Sequence, residues 1–283
     1  MIASANNPTL FGPTRGRRKT VSTRTTTIAC LAAVVLGLAG GAANAAPADK
    51  FVPGESAVIA GGTVSTWARV NGGGKVIWVG LTFPLSLAEN LPPRGAGPAG
   101  AIAVLNFPPV VRQTTYFNHF ELHSQAHGHG TNPGYQTPDR NSEPHVDLHF
   151  YSIPVAQVLT IPFVPPSPAL PNVPADRLPA GYAQPEFSVP QMGRHCAALS
   201  EFTAIGPLDL TMFVGFLPDA SYMHFLEPMI SRDFLLEREN FTLPVPEPVR
   251  LGRPTSYPTE CVVHYDKDAD AYHIVFKGFE PIQ

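Results

Sequence analysis

Cysteine is scarce in this 283-residue sequence, which contains three, and Cys30 lies in the N-terminal region described next. The other two, Cys196 and Cys261, are too few to form a disulfide framework. In an oxidising compartment they could pair with each other, and the sequence leaves that pairing open.

The sequence also has no apolar run of the roughly 20 residues that a membrane-spanning helix needs. The run Ile28–Ala43 is shorter, and the small-residue pattern Ala43-Asn44-Ala45 follows it. Five basic residues precede it: Arg15, Arg17, Arg18, Lys19 and Arg24. This order predicts a signal peptide over residues 1–45. We expect the mature protein to be secreted, or periplasmic in the cell envelope, after cleavage near Ala45, without stable membrane insertion. The Sec and twin-arginine routes both remain open.

Basic residues are few in the mature chain. Five of the 19 basic residues and none of the 22 acidic residues precede Ala46, so the mature chain has a net charge of −8. Nucleic acids and anionic membranes select for basic patches, and the charge therefore argues against both as partners.

Familiar enzymatic and ligand-binding motifs are either absent or occur in a sequence context that does not suit their function. No G-x-S-x-G nucleophile elbow occurs. Gly95–Gly100 spells the dinucleotide fingerprint, but Pro-rich sequence precedes it and a strand follows, whereas the motif needs a strand before and a helix after. Gly72–Lys75 lacks the spacing of a P-loop. Asp266–Asp270 begins like a calcium loop but lacks the turn glycine and the final glutamate.

Proline is abundant, with 32 residues, which argues against long helices and for short strands. β-branched and aromatic runs predict strands at 75–83, 101–107 and 208–216, and a hairpin from 261–265 and 271–279. Short helices are predicted at 86–91 and 227–237. The fold is therefore expected to be mostly β, a short-stranded sandwich-like or barrel-like architecture with Pro-rich connections.

The mature chain divides into three parts. Residues 46–160 form an N-terminal β unit with a His-rich segment, residues 161–190 are a Pro-rich connection, and residues 191–283 form a C-terminal β unit. The connection could be an interdomain linker or an ordered surface segment. Whether the two β units share one core is left open.

Histidine is concentrated in one stretch: six of the ten histidines lie between residues 119 and 149. Two triplets there have a period of two: His119, Glu121, His123, and His145, Asp147, His149. On a strand, residues i and i+2 share a face, so their side chains can approach one ion. Imidazole with carboxylate suits a divalent transition metal: zinc, iron, manganese or copper. The alternative is a solvated polar face. On a flat strand His145 and His149 are about 13 Å apart, which is far for one shared ion.

Four short segments resemble the ordered landmarks of a known family: Gly128-His129 with Pro133-Gly134-Tyr135, then residues 144–151, Met192–His195, and Glu227–Ile230. The family consists of uncharacterised exported bacterial proteins, a domain of unknown function whose founding structure is a sigma-E-regulated Thermus protein. This sequence departs from the family pattern at Val146 and Leu148, where phenylalanine is usual, and at 123–126, where an Asp-Trp-Asn-Pro run is usual.

The resemblance implies a β-rich fold and a homo-oligomer, and it supplies no reaction. Matching landmarks contain a plausible mononuclear metal-ligand set: His129, His145, His149, His195 and Glu227. Asp147 and Tyr151 are expected beside these ligands, where they would position them. The alternative role for Glu227 is an acidic residue at a helix N-terminus next to Pro228. Arg194 could form a salt bridge or contact an anion, and the salt bridge is the favoured expectation.

Three functional classes remain open. A metal-dependent enzyme would use an open coordination position to activate water or substrate. A non-catalytic envelope protein would use the ion or the polar cluster to stabilise its fold or an oligomer. A small-molecule binding module without metal would have a pocket lined by aromatic residues such as Trp78, Tyr151 and Phe216.

Overall fold

The computed structural model describes residues 48–129, 142–166, 170–204 and 206–283. The predicted signal peptide and the landmark Pro133–Tyr135 lie outside these residues. The described strands are β1 (Lys50–Ile59), β2 (Gly62–Val70), β3 (Val76–Pro84), β4 (Ala103–Asn106), β5 (His119–Gln125), β6 (His145–Tyr151), β7 (Tyr182–Ala183), β8 (Arg194–Ala198), β9 (Leu210–Phe216), β10 (Met223–Ser231), β11 (Phe241–Pro244), β12 (Thr255–Tyr257), β13 (Glu260–Asp266), β14 (Ala271–Lys277) and β15 (Glu280–Ile282). The described α-helices are α1 (Ser86–Glu89), α2 (Pro109–Thr114), α3 (Val155–Val158) and α4 (Arg232–Leu236), and short 3₁₀ turns lie at Pro98–Gly100 and Leu199–Phe202.

The strands form two large open sheets and one small one. The first large sheet has the order β1-β2-β3-β14-β13-β11, the second β4-β5-β6-β10-β9-β8-β7, and β12 pairs with β15. Both large sheets are open, with β1 and β11 at the edges of the first and β4 and β7 at the edges of the second. The architecture is therefore sandwich-like and not barrel-like. The mostly β prediction is confirmed.

Each large sheet combines strands from both halves of the chain. In the first sheet β3 pairs with β14, and in the second β6 pairs with β10. The two β units proposed from the sequence therefore share their sheets, and the described chain forms one compact unit.

Aromatic packing joins the two sheets. The rings of Phe150 in β6 and Phe276 in β14 lie 4.8 Å apart, and Phe117 contacts both. Val146, Leu148 and Phe150 belong to this core, as the period-two pattern predicts. Burying such a side chain contributes about 1.5–3 kcal/mol. Because alternate residues of a strand face opposite ways, His145, Asp147 and His149 must lie on the other face of the same sheet.

Most strand predictions are confirmed: β3, β4, β9 and the β13–β14 hairpin lie where the sequence predicts them. The helix predicted over 227–237 is wrong in its first half. Glu227 lies in the middle of β10, and only Arg232–Leu236 is helical, capped by the Ser231 hydroxyl. Glu227 is therefore not an acid at a helix N-terminus. Strand β10 is buried throughout, and its central place between β6 and β9 outweighs the low strand propensity of Pro228.

The Pro-rich connection is ordered over its described residues. Val164 bridges to Ser188, and β7 pairs with β8. Arg194 is buried and donates to the carbonyl oxygens of Pro171 and Pro185, and to Gln184. Arg194 forms no salt bridge with the residues that the structure describes, and its guanidinium instead holds this connection through neutral acceptors.

Cys196 and Cys261 are both free thiols and both buried. They lie in different sheets, in β8 and β13. No helix in the described part of the chain is long and apolar enough to cross a membrane.

Candidate metal centre

One face of the second sheet is polar and almost completely buried. It faces away from the aromatic core, and β5, β6, β8 and β10 supply its side chains. Strand pairing places Glu121 beside His149 and His123 beside Asp147. The buried histidines and acidic residues of this face include His119, Glu121, His123, His145, Asp147, His149 and Glu227, with His195 partly buried beside them.

The first group of converging side chains consists of His149, His195 and Glu227. The two Nε2 atoms lie 3.3 Å apart. The Glu227 carboxylate oxygens lie 3.5 Å from His149 Nε2 and 3.7 Å from His195 Nε2. The three residues come from β6, β8 and β10, so three strands of one sheet hold the group in place.

Phe225 forms the floor beneath the first group. Its ring lies 4.9 Å from that of His149 and 5.0 Å from that of His195. Gly215 pairs with both Phe225 and His195, and a Cβ there would lie 1.9 Å from the Phe225 ring. Only glycine at 215 leaves room for the ring that supports the two imidazoles.

The second group consists of His129, His145 and Asp147. Asp147 Oδ1 lies 3.1 Å from His145 Nε2, and Oδ2 lies 3.5 Å from His129 Nε2. Gln125 donates a hydrogen bond to Oδ2 at 2.9 Å. His129 lies on the loop after β5, and its side chain is 39% exposed.

A third cluster surrounds Glu121, whose carboxylate lies 3.1 Å from His119 and 3.4 Å from His123. The ring of Tyr151 stacks on those of His119 and His149. His123 packs edge-on against His149 at 4.8 Å between ring centroids. Glu121 and its two histidines therefore pack beside the first group and restrict the rotation of His149.

Burial dominates the electrostatics of the first group. It lowers the pKa of His149 well below its usual value, with repulsion from His123 and His195 adding to the effect. It also lowers the pKa of His195 to about 3. Burial, and then the charge of Asp147, raises the pKa of Glu227 well above its usual value. Both imidazoles are thus neutral near pH 7 and offer lone pairs, as metal ligands must.

Asp147 behaves in the opposite way. Burial opposes its ionisation, but pairing with His129 and His145 outweighs burial and holds its pKa well below the usual range. The second group therefore carries a carboxylate charge near neutral pH.

The structure brings together all five residues suggested as ligands, but in two groups and not around one point. His149, His195 and Glu227 form one group, and His129 and His145 form the other. Asp147, expected beside the ligands, is itself a converging member of the second group. Tyr151 lies beside His149, as expected. Glu121 is the centre of a period-two triplet in the sequence, and that pattern is the signal for the third cluster.

The aromatic residues expected to line a ligand pocket do not come together. Tyr151 and Phe216 are completely buried within the second sheet, whereas Trp78 lies in the first sheet, on β3, and is partly exposed. Among the described residues these three form no shared pocket. The arrangement instead offers buried histidine and carboxylate groups that could hold a metal ion.

Comparisons with protein-family models, with curated proteins and with solved structures found no match. The resemblance to the exported family remains a prediction from the four sequence landmarks, and the chemistry of the site has to be argued from its own geometry.

Proposed function

We propose that this protein is an exported metalloprotein that binds a divalent transition metal ion through His149, His195 and Glu227. The spacing of the three donors is the observation that carries the proposal. Ligands at about 2.0–2.2 Å from a tetrahedral ion lie about 3.4 Å apart, whereas adjacent ligands of an octahedral ion lie about 3.0 Å apart. The two Nε2 atoms are 3.3 Å apart, Glu227 Oε1 lies 3.5 Å from His149 Nε2, and Glu227 Oε2 lies 3.7 Å from His195 Nε2.

Hydrogen bonding explains the two separations from Glu227 less well. Bonds from N–H to oxygen are mostly 2.7–3.2 Å long, so the two contacts of Glu227 are too long for good ones. Glu227 Oε2 is also buried without a hydrogen-bond partner in the described part of the chain. An ion held by the two Nε2 atoms and the carboxylate would compensate the burial of this oxygen.

The donor set favours zinc, since two imidazoles and one carboxylate at tetrahedral spacing are typical of catalytic zinc sites. Three protein ligands leave a fourth position for water or substrate. His195 is 20% exposed, so this side of the group is accessible to solvent. We therefore favour a metal-dependent enzyme that activates water or a substrate atom over an ion with a purely structural role.

Metal analysis of the exported protein tests this proposal. Glu227→Gln and His195→Gln should each lower the metal content by one ion per chain relative to wild type. His264→Gln is the matched control, because His264 is an exposed histidine far from the group in the first sheet, and it should change nothing. Unchanged metal content in both site variants would refute the proposal.

Chelation separates the enzyme from the structural alternative. If the chelated protein keeps its circular dichroism spectrum and rebinds Co²⁺ with the intense visible absorption of a tetrahedral site, the open-position function is supported. If chelation unfolds the chain, the ion is structural.

The compartment and the assembly are part of the same proposal. The basic region, apolar run and Ala43-Asn44-Ala45 pattern support cleavage near Ala45, and mass spectrometry of the exported protein should give an N-terminus at Ala46. The family resemblance supports a homo-oligomer. The free edge strand β1 exposes Phe51 and Val58, which agrees with further contacts there. Light scattering after size-exclusion chromatography tests the homo-oligomer, and the mass of a monomer would contradict it.

A further inference from the structure

We infer that His129, His145 and Asp147 form a second cation-binding site, separate from the first. Asp147 lies between the two imidazoles and directs one carboxylate oxygen at each of them, at 3.1 and 3.5 Å. The rings of His129 and His145 lie 4.9 Å apart. A cation among these three donors would be held by two histidines and a carboxylate, the same chemistry as in the first group.

The orientation of His145 supports a cation. Its Nδ1 lies 2.5 Å from the carbonyl oxygen of Glu143. A carbonyl only accepts, so Nδ1 carries the hydrogen and donates it. In a neutral ring Nε2 then presents its lone pair to Asp147, and two acceptors only 3.1 Å apart repel each other unless a proton on Nε2 or a bound cation lies between them. Metal-bound histidines show this same pattern, in which the remote ring nitrogen donates to a carbonyl and fixes the ligating one.

The two sites share no ligand. His145 and His149 are four residues apart on strand β6, a separation of about 13 Å between Cα atoms. A single ion therefore cannot be bound by both His145 and His149. Asp147 lies between them in sequence. Among the ion pairs of the described residues, however, its carboxylate oxygens contact His129 and His145 only.

Gly128 brings His129 to this site. The chain turns at the end of β5, with the Gly128 N–H donating to the Gln125 carbonyl. Gly128 has φ +66°, and a Cβ there would lie 2.2 Å from the Ser142 carbonyl oxygen. Both the left-handed backbone and the close approach require glycine. Replacing it would move His129 away from Asp147.

A pocket adjoins the second site and leaves its ion exchangeable. The pocket has a volume of about 520 Å³, and Arg94, Ser124, Gln125, His127 and His129 are among its lining residues. The first group is held by three strands, whereas His129 comes from a partly exposed loop. The second ion should therefore be removed first by a chelator.

Zinc titration of the metal-free protein, followed by desalting and elemental analysis, tests the inference. Wild type should retain two zinc ions per chain. The single variants Asp147→Asn, His145→Gln and Glu227→Gln should each retain one. The double variant Asp147→Asn/Glu227→Gln should retain none. If Asp147→Asn and His145→Gln retain the wild-type zinc content, the second site does not exist and the group is an ion pair. If Glu227→Gln alone keeps the wild-type content, the proposed function fails while this inference stands.

A glycine pair keeps the inference testable if an Asp147 variant does not fold. Gly128→Ala should lose one zinc ion per chain. Gly61→Ala is the matched control, because Gly61 also has a positive φ, +78°, but a Cβ there would meet no atom within 4 Å, and it should retain both ions. Equal zinc content in the two folded variants would overturn the second site.

Discussion

His149 and His195 direct their Nε2 atoms at each other across 3.3 Å, although they are 46 residues apart in the chain. Burial leaves both imidazoles neutral, so either one Nε2–H donates to the other Nε2, or both Nε2 lone pairs bind one ion. Glu227 completes the group from a third strand. The predictions below address what holds these residues in place and what the surrounding fold contributes.

Gly215→Ala should disrupt the first group through its floor. The added methyl group would overlap the Phe225 ring, and such overpacking costs about 1–3 kcal/mol. Because Phe225 supports both imidazoles, we expect the loss of one bound ion per chain, measured by elemental analysis. Gly80→Ala is the control: its Cβ would lie 2.2 Å from the Trp67 ring in the other sheet. It should reduce stability similarly and keep the metal. Equal metal loss in both variants would contradict the role of the floor.

His224 should make folding sensitive to acid. It is completely buried, its Nε2 donates to the Met192 carbonyl, and burial lowers its pKa from 6.5 to about 4. The unfolded chain therefore binds the proton more readily between these values, so stability falls as the pH falls from about 6.5 to about 4. The contribution is about 3 kcal/mol.

Urea unfolding of the metal-free protein at pH 7 and pH 4 measures this effect. His224→Gln keeps an N–H donor for Met192 but does not titrate, so its stability should fall by about 3 kcal/mol less than that of wild type over the same interval. Parallel losses in the two proteins would show that His224 is not the group responsible.

Cys196 and Cys261 should be unreactive in the folded protein. Both are completely buried, and burial raises the pKa of Cys196 to about 12 and that of Cys261 well above its usual value. Neither forms a thiolate near neutral pH, and the thiolate is the reactive form. A thiol reagent should label neither residue of the native mature chain and both after denaturation. An absence of thiols in the denatured protein would reveal a disulfide and contradict the structure.

Arg194→Met should loosen the Pro-rich connection. The substitution removes hydrogen bonds to Pro171, Gln184 and Pro185 and leaves buried acceptors unsatisfied, at a cost of about 3 kcal/mol. We expect faster proteolysis within residues 171–185. Arg250→Met is the control: Arg250 pairs with Asp176 on the surface, where an ion pair contributes about 1 kcal/mol or less. Comparable cleavage of the two variants would argue against an anchoring role for Arg194.

The strands and their faces are largely predictable from the sequence, because period-two alternation is a local property. Residues 145–151 illustrate this: the polar positions share one face, and Val146, Leu148 and Phe150 pack into the core on the other. The clustering of histidines likewise marks the polar face in the sequence alone.

The grouping of the ligands is not predictable in this way. His195 and Glu227 reach His149 only through the pairing of β10 with β6 and of β8 with β9, which joins segments distant in the chain. The sequence analysis predicts a helix over 227–237, in which Glu227 would be an acidic residue at the N-terminus next to Pro228. Glu227 lies in a strand because β10 is buried between β6 and β9, and a local sequence pattern does not indicate which strands will be neighbours.

The pairing of β3 with β14 has a consequence for how this protein is made. Phe83 sits opposite Tyr272, so the centre of the first sheet is completed by a strand that is synthesised long after β3. Until that hairpin emerges, β3 has one unpaired side and the aromatic core lacks Phe276. The nascent polypeptide therefore has to be kept from aggregating until β14 has been made, and deleting β14 would expose a long apolar strand to neighbouring molecules.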